Sequence, residues 1–288
     1  MFVIIDNTTS LKSFQWANMS CSYDAVFTTL WIVYSTGTEK LRAAFDDTLP
    51  FMGEMFTQMT NNTTSAAEAN NKLRDYYYKS SRKKCFARGV YQSVPEVIGH
   101  LLSQCIIPIH DEGMLDLFDF KNLCHKKCPH DSCELISDLE SDHCIFFNND
   151  IDYTLSLSYM IQEHFRLEPV NYLCVECRLK MSLTYELVGC PQIACICFTG
   201  KDMESNFERV IHIGVVEYNL LSVVYLVGSN HFICRFCIDN IAYEYDGMVR
   251  FGAFREVTYD PPFPGTTYDA DNDKVMEVQA VYYTRSQP

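Results

Sequence analysis

Three groups of residues in this chain have the types and spacing to do chemistry. The first is a single thiol. Cys21 follows Ser20, a residue type favoured at helix N-caps, and opens the run Cys21–Ser35, which is apolar on nearly every side. A cysteine in the first turn of a helix sits at the positive end of the macrodipole, which favours the thiolate, its nucleophilic form. Taken alone, such a cysteine is more often an inert core thiol. The second group is His231 and Asp246. Gly228-Ser-Asn-His231-Phe232 reads as a turn opening a strand, and Ala242–Gly247 reads as the next strand closing in a turn. A hairpin of this kind brings His231 beside Asp246, so that the carboxylate holds the imidazole while the other ring nitrogen faces a thiol.

The third group is metal-ligating. Cys124-His-Lys-Lys-Cys128 and Cys174-Val-Glu-Cys177 are two close pairs separated by a long insert, and structural zinc takes four such ligands tetrahedrally. The expected set is Cys124, Cys128, Cys174 and Cys177, with Cys133, His125, His130 and Cys144 as competitors for the first pair. Two other pairs are set aside. Cys234 and Cys237 lie three apart on an expected strand and so face opposite ways; Cys195 and Cys197 share a face but lie in an apolar run that reads as core.

The elements that must position these groups change character along the chain. The first third reads helical: Cys21–Ser35, Thr38–Phe56, Ser65–Lys79 and a helix begun by Ser93-Val-Pro-Glu96, with Ser93 as N-cap. From Cys124 to Cys144 the sequence is polar and rich in cysteine and histidine, with no amphipathic period. A short helix, Leu157–Phe165, follows it. The last third reads as strands: Gly189–Phe198, Val210–Tyr218, Leu220–Val227, His231–Asp239, Ile241–Asp246 and Val275–Arg285. Helices first, strands last and a cysteine-rich insert between them predict an α+β protein with one catalytic domain.

Composition bounds the partners. The 288 residues carry a net charge of −14, which excludes the phosphate-neutralising surface of a nucleic-acid binder and suits a partner with basic groups. Residues 1–20 do not read as a signal peptide, and no apolar stretch is long enough to span a bilayer. Fourteen cysteines without a secretory signal are expected to be core thiols, metal ligands or nucleophiles in an intracellular protein.

In this order, the groups resemble the ubiquitin-specific protease superfamily. Asn18-Met-Ser-Cys21-Ser-Tyr-Asp24 resembles its cysteine box, and Gln92–Leu102 its Gln-Asp-Ala-x-Glu-Phe-Leu stretch. Cys124/Cys128 and Cys174/Cys177 resemble its zinc-bearing fingers. Gly189–Phe198 stands where the family has a Leu-Pro-x-x-Leu strand. Ser229–Phe232 and Tyr243–Asp246 resemble its histidine and aspartate boxes, and Ala280–Arg285 its closing strand. The resemblance covers nearly the whole chain.

It implies a papain-like thumb (1–110), zinc-ribbon fingers (111–190) and palm (191–288), a structural Zn2+, and hydrolysis after the C-terminal glycine of ubiquitin or a ubiquitin-like modifier. Trp16 stands where the family has its oxyanion asparagine, and the resemblance passes that role to Asn18. Asp24 and the Tyr-Asp-Gly ending are similar to a divergent SUMO-cleaving branch, whereas the acidic charge suits ubiquitin's arginine-bearing tail. The two modifiers are left level. The rival expectations are an inactive modifier-binding module and a zinc-stabilised adaptor without hydrolase ancestry.

Overall fold

The computed structural model describes residue 14 and residues 19–82, 84–103, 117–130, 136–147, 155–165, 168–174, 176–199, 206–249, 252–258, 263–269 and 274–286. Its helices come first. They are α1 (Cys21–Thr36), α2 (Glu39–Thr48), α3 (Pro50–Thr60), α4 (Ala66–Ser80) and α5 (Val94–Leu102). Then come β1 (Phe120–Lys127), β2 (Ile136–Asp142), β3 (Ile145–Phe147), α6 (Leu157–His164), β4 (Glu168–Leu173) and β5 (Lys180–Gly189). The remainder is strand: β6 (Ile193–Phe198), β7 (Val210–Ile213), β8 (Val216–Val227), β9 (His231–Ile238), β10 (Ile241–Tyr245), β11 (Arg255–Glu256), β12 (Thr267–Asp269) and β13 (Lys274–Arg285).

Local chemistry sets most of these boundaries. Every residue of α1 from Cys21 to Tyr34 is buried, as its all-round apolar pattern requires. The expected single helix over 38–56 is two, because Pro50 opens α3 and disfavours helical geometry at Leu49, whose φ and ψ are −129° and 64°. Ser93 and Glu96 form a reciprocal capping box on α5, and Ser65 caps α4 by accepting from Glu68 N–H. Ser20 departs from expectation. Its side chain makes no cap hydrogen bond and its hydroxyl instead donates to Asp24 one turn on.

The strands form two sheets. A four-stranded sheet in the order β2-β1-β5-β4 holds the insert that the sequence left without periodicity. A nine-stranded sheet runs β11-β10-β9-β8-β13-β6-β3, with β12 on β13 and β7 on β8. One face of this larger sheet, carrying Val224, Cys234, Phe236, Ala280 and Tyr282, packs with the helices into one core. The other face, carrying Val223, Tyr225, Val281 and Tyr283, packs with α6 into a second. Thr29 Oγ1 of α1 meets Ser222 Oγ of β8 at 3.0 Å, a buried polar tie between helix and sheet. Cys234 belongs to the first core and Cys237 packs against the second, as strand alternation requires.

Candidate active site and metal centre

Two tight turns bring histidine to aspartate. Gly228 takes φ +65° in the turn between β8 and β9, and Val227 pairs with His231 across it. Asp239 and Asn240 both take positive φ in the two-residue loop between β9 and β10, the geometry of a type I′ hairpin. Its register, ending at Tyr245 opposite Cys234, carries Asp246 past the last bridge to the side of His231. His231 Nε2 lies 2.9 Å from Asp246 Oδ1, and the same oxygen accepts Met248 N–H at 2.8 Å.

Cys21 meets this pair from the helical side, at the N-terminus of α1. Its thiol donates to the Asn230 carbonyl at 3.6 Å, one residue before His231 and 209 residues along the chain. His231 Nδ1 is buried with no hydrogen-bond partner among the described residues. Burial alone lowers the His231 pKa, but the hydrogen bond and charge of Asp246, with Cys21 close by, outweigh it and carry it up to about 9. Burial likewise works against the Asp246 carboxylate, and the imidazole and two backbone N–H groups more than compensate, leaving its pKa below the usual range. The three groups line one cleft of about 360 Å³ together with Tyr91, Asn230 and Glu244. A base held by a carboxylate beside a thiol at a helix N-terminus can activate sulfur for attack on a carbonyl. Asn18 lies outside the described residues. Met19, two residues before the thiol, takes φ +58°, an uncommon conformation for a side chain of its size.

Several contacts tie the elements around the thiol together. Tyr91 stacks on Phe232 at a centroid distance of 5.6 Å. The Gln92 amide oxygen accepts Phe86 N–H at 2.8 Å and the Tyr23 hydroxyl, tying the loop before α5 to α1. Asp24 is fully buried, with Ser20 and Asn70 (2.7 Å) donating to its carboxyl and the buried Arg74 nearby. Burial raises its pKa to about 7 in spite of those partners. Between the ordinary carboxylate range and about 7 the folded chain then binds a proton that the unfolded chain does not, so Asp24 makes stability fall as pH rises through that window. We expect urea titrations of the wild type to include this downward component between about pH 4 and 7, and Asp24→Asn to remove it. An unchanged pH slope in the variant would contradict it.

The four-stranded sheet explains the metal-ligating cysteines. Lys127 at the end of β1 pairs with Ser182, and Leu173 at the end of β4 pairs with Lys180, so both strands end at the start of β5. Cys128 and Cys174 follow directly, and Cys177 returns to them through a knuckle closed by Cys174 N–H to the Leu179 carbonyl at 2.8 Å. The three sulfurs lie within 4.8 Å of one another, with Cys128 and Cys177 3.2 Å apart. Zinc bound to sulfur at about 2.3 Å places tetrahedral sulfurs about 3.8 Å apart, so the group fits a metal ion. His130 N–H points at Cys128 Sγ from 3.4 Å, the outer-shell contact that supports a metal-bound thiolate.

Cys124 is not one of this group. It sits within β1 opposite Tyr185 and Asp138, and four strand residues place it about 13 Å along from Cys128. Its spacing looked like a knuckle, but the segment is a strand. A second group, Cys144, Cys195 and Cys197, is drawn together in the core. Cys195 and Cys197 are core, as expected from their apolar run, but spacing did not show that Cys144 joins them. The signal was the shared face of Cys195 and Cys197; the missing part was the pairing of β3 with β6. Among the described residues no helix is long and apolar enough to cross a membrane.

No protein-family model matches the chain, and no curated protein matches it. Solved structures do. The chain superposes on one from the SAGA DUB module Ubp8/Sgf11/Sus1/Sgf73 bound to monoubiquitin, with a TM-score of 0.68 and 10% identity over 96% of this chain and 70% of that one. A structure of the same module bound to ubiquitin aldehyde matches with a TM-score of 0.65 and 10% identity, over 98% and 71%. At that identity the likeness is one of fold: the chain shares the fold of these DUB-module chains over nearly its whole length.

Proposed function

We propose that this chain is a thiol isopeptidase that releases ubiquitin or a ubiquitin-like modifier from target lysines. The observation that carries the reading is Cys21 at the head of α1, opposite a histidine held by Asp246 in one cleft. His231 takes the thiol proton, and the thiolate attacks the carbonyl of the modifier's C-terminal glycine. Backbone N–H groups at the start of α1, with Asn18, stabilise the oxyanion. The imidazolium then gives its proton to the departing lysine amine, leaving a thioester. His231 next accepts a proton from water, whose oxygen displaces the sulfur and regenerates the enzyme.

The rest of the fold suits this reading. Helices α1–α5 act as thumb, the nine-stranded sheet with α6 as palm and the four-stranded sheet as fingers, within a single catalytic domain. Met19, Tyr91, Met248 and Val249 are exposed apolar residues around the cleft, a surface suited to an extended modifier tail. The neighbouring module structures were solved with ubiquitin, and the net charge of −14 suits a basic partner, so ubiquitin is the first substrate to try. Buried Asp24 is the feature shared with the SUMO-cleaving branch. An intracellular setting, where fourteen cysteines stay as thiols or metal ligands, belongs to the same reading. Hydrolysis of fluorogenic C-terminal amides of ubiquitin and SUMO by the purified chain tests the proposal. Cleavage of either supports it and names the modifier; cleavage of neither by a folded sample favours a binding module.

In the same reading Cys128, Cys174 and Cys177 hold a structural zinc that fixes the tips of the fingers. A fourth ligand comes from outside these three. Cys133, which lies outside the described residues, is the next cysteine in sequence after Cys128, and exchanging it for serine tests that assignment. Cys174→Ser is expected to lose one zinc per chain and to destabilise the fingers, whose proteolysis would accelerate. Unchanged zinc content by elemental analysis would remove Cys174 from the site.

A further inference from the structure

The second cysteine group lies away from both the cleft and the fingers. Cys195 and Cys197 alternate along β6 and share one face. On one side, β3 pairs with β6 in parallel, Ile145 with Ile196 and Phe146 with Cys197, which sets Cys144 beside Cys195. Cys144 Sγ lies 3.6 Å from Cys195 Sγ and 3.4 Å from Cys197 Sγ, and the three sulfurs fit within 4.8 Å. On the other side, Tyr282 of β13 pairs with Cys195. Its side chain is 1% exposed, and its hydroxyl makes no hydrogen bond outside this sulfur group among the described residues. That hydroxyl interacts with the Cys195 thiol and lies near all three sulfurs.

Packing alone does not call for this arrangement. Alanine or valine would fill the same positions without placing three sulfurs in contact, and a buried hydroxyl served only by a weakly bonding thiol is poorly satisfied. A disulfide would use two of the sulfurs, strand the third and require an oxidant to reach a dry core.

We propose that Cys144, Cys195 and Cys197 form a second metal site for a soft cation, zinc in the first instance, with the Tyr282 hydroxyl completing the set. Binding converts three thiols and one Zn2+ to a tris-thiolate complex of net charge −1 and releases three protons, with no change of oxidation state. A neutral hydroxyl as fourth contact adds no further charge to a site in a low-dielectric interior. Cys144 is where the chain leaves β2 of the four-stranded sheet and joins the nine-stranded one, so the ion clamps that junction. This assignment is independent of the isopeptidase reading.

Elemental analysis and native mass spectrometry of the purified full chain test it. Two ions per chain are expected, one lost in Cys174→Ser and the other in Cys144→Ala. Metal content that Cys144→Ala leaves unchanged would overturn the site. Where Cys144→Ala does not fold, Cys174→Ser refolded with Co2+ gives the second arm. One equivalent of thiolate-to-cobalt charge-transfer absorption supports the site, and a folded, cobalt-exposed sample with none overturns it.

Discussion

Asp246→Asn is expected to lower kcat/KM by about 10²–10⁴-fold while leaving the fold intact. The carboxylate does two jobs that an amide does badly. It fixes the imidazole by the 2.9 Å contact to Nε2, and it offsets the burial that would otherwise favour neutral His231. Removing it lets burial lower the His231 pKa from about 9. The alkaline limb of the pH–rate profile, set by loss of the imidazolium, then moves to lower pH. In the wild type the raised pKa also contributes stability that is fully present below the ordinary histidine value and lost as pH climbs through about 9. A merely structural role for Asp246 would leave that limb where it is. Equal rates in the two proteins would remove Asp246 from the catalytic group.

Cys21→Ala carries the largest expected effect, loss of turnover to the uncatalysed background, because no other thiol among the described residues lines the cleft. The thiol is buried at the floor, 6% exposed, so its removal takes away little of the surface a modifier would cover. Affinity for an intact conjugate is therefore expected to change by no more than a few-fold, read by calorimetry with the conjugate itself. Retained turnover would mean that a different residue is the nucleophile.

Much of this site was legible before any coordinates. A thiol beginning a long apolar helix, and a histidine and aspartate at opposite ends of a hairpin, are local patterns, and local patterns are what a sequence displays. Ser93 and Glu96 announced the start of α5 for the same reason. Three features escaped because their causes are not local. Cys124 and Cys128 sit close in sequence, yet the three residues between them are extended strand, and distance along a strand grows by about 3.3 Å per residue. Cys144 reaches Cys195 and Cys197 only through a strand pairing across 51 and 53 residues, which no spacing rule encodes. Ser20 was a plausible cap by type, but burial of Asp24 one turn later gave its hydroxyl a stronger claim. The Asn18 assignment falls outside the described residues.

The most direct measurement of the central claim is reaction of the folded chain with C-terminal electrophilic probes of ubiquitin, SUMO and NEDD8, followed by peptide mapping of any adduct. The account predicts a covalent adduct with at least one probe, located on Cys21 and absent from Cys21→Ala. No adduct from a folded, metal-loaded sample, or an adduct mapped to another cysteine, would contradict it.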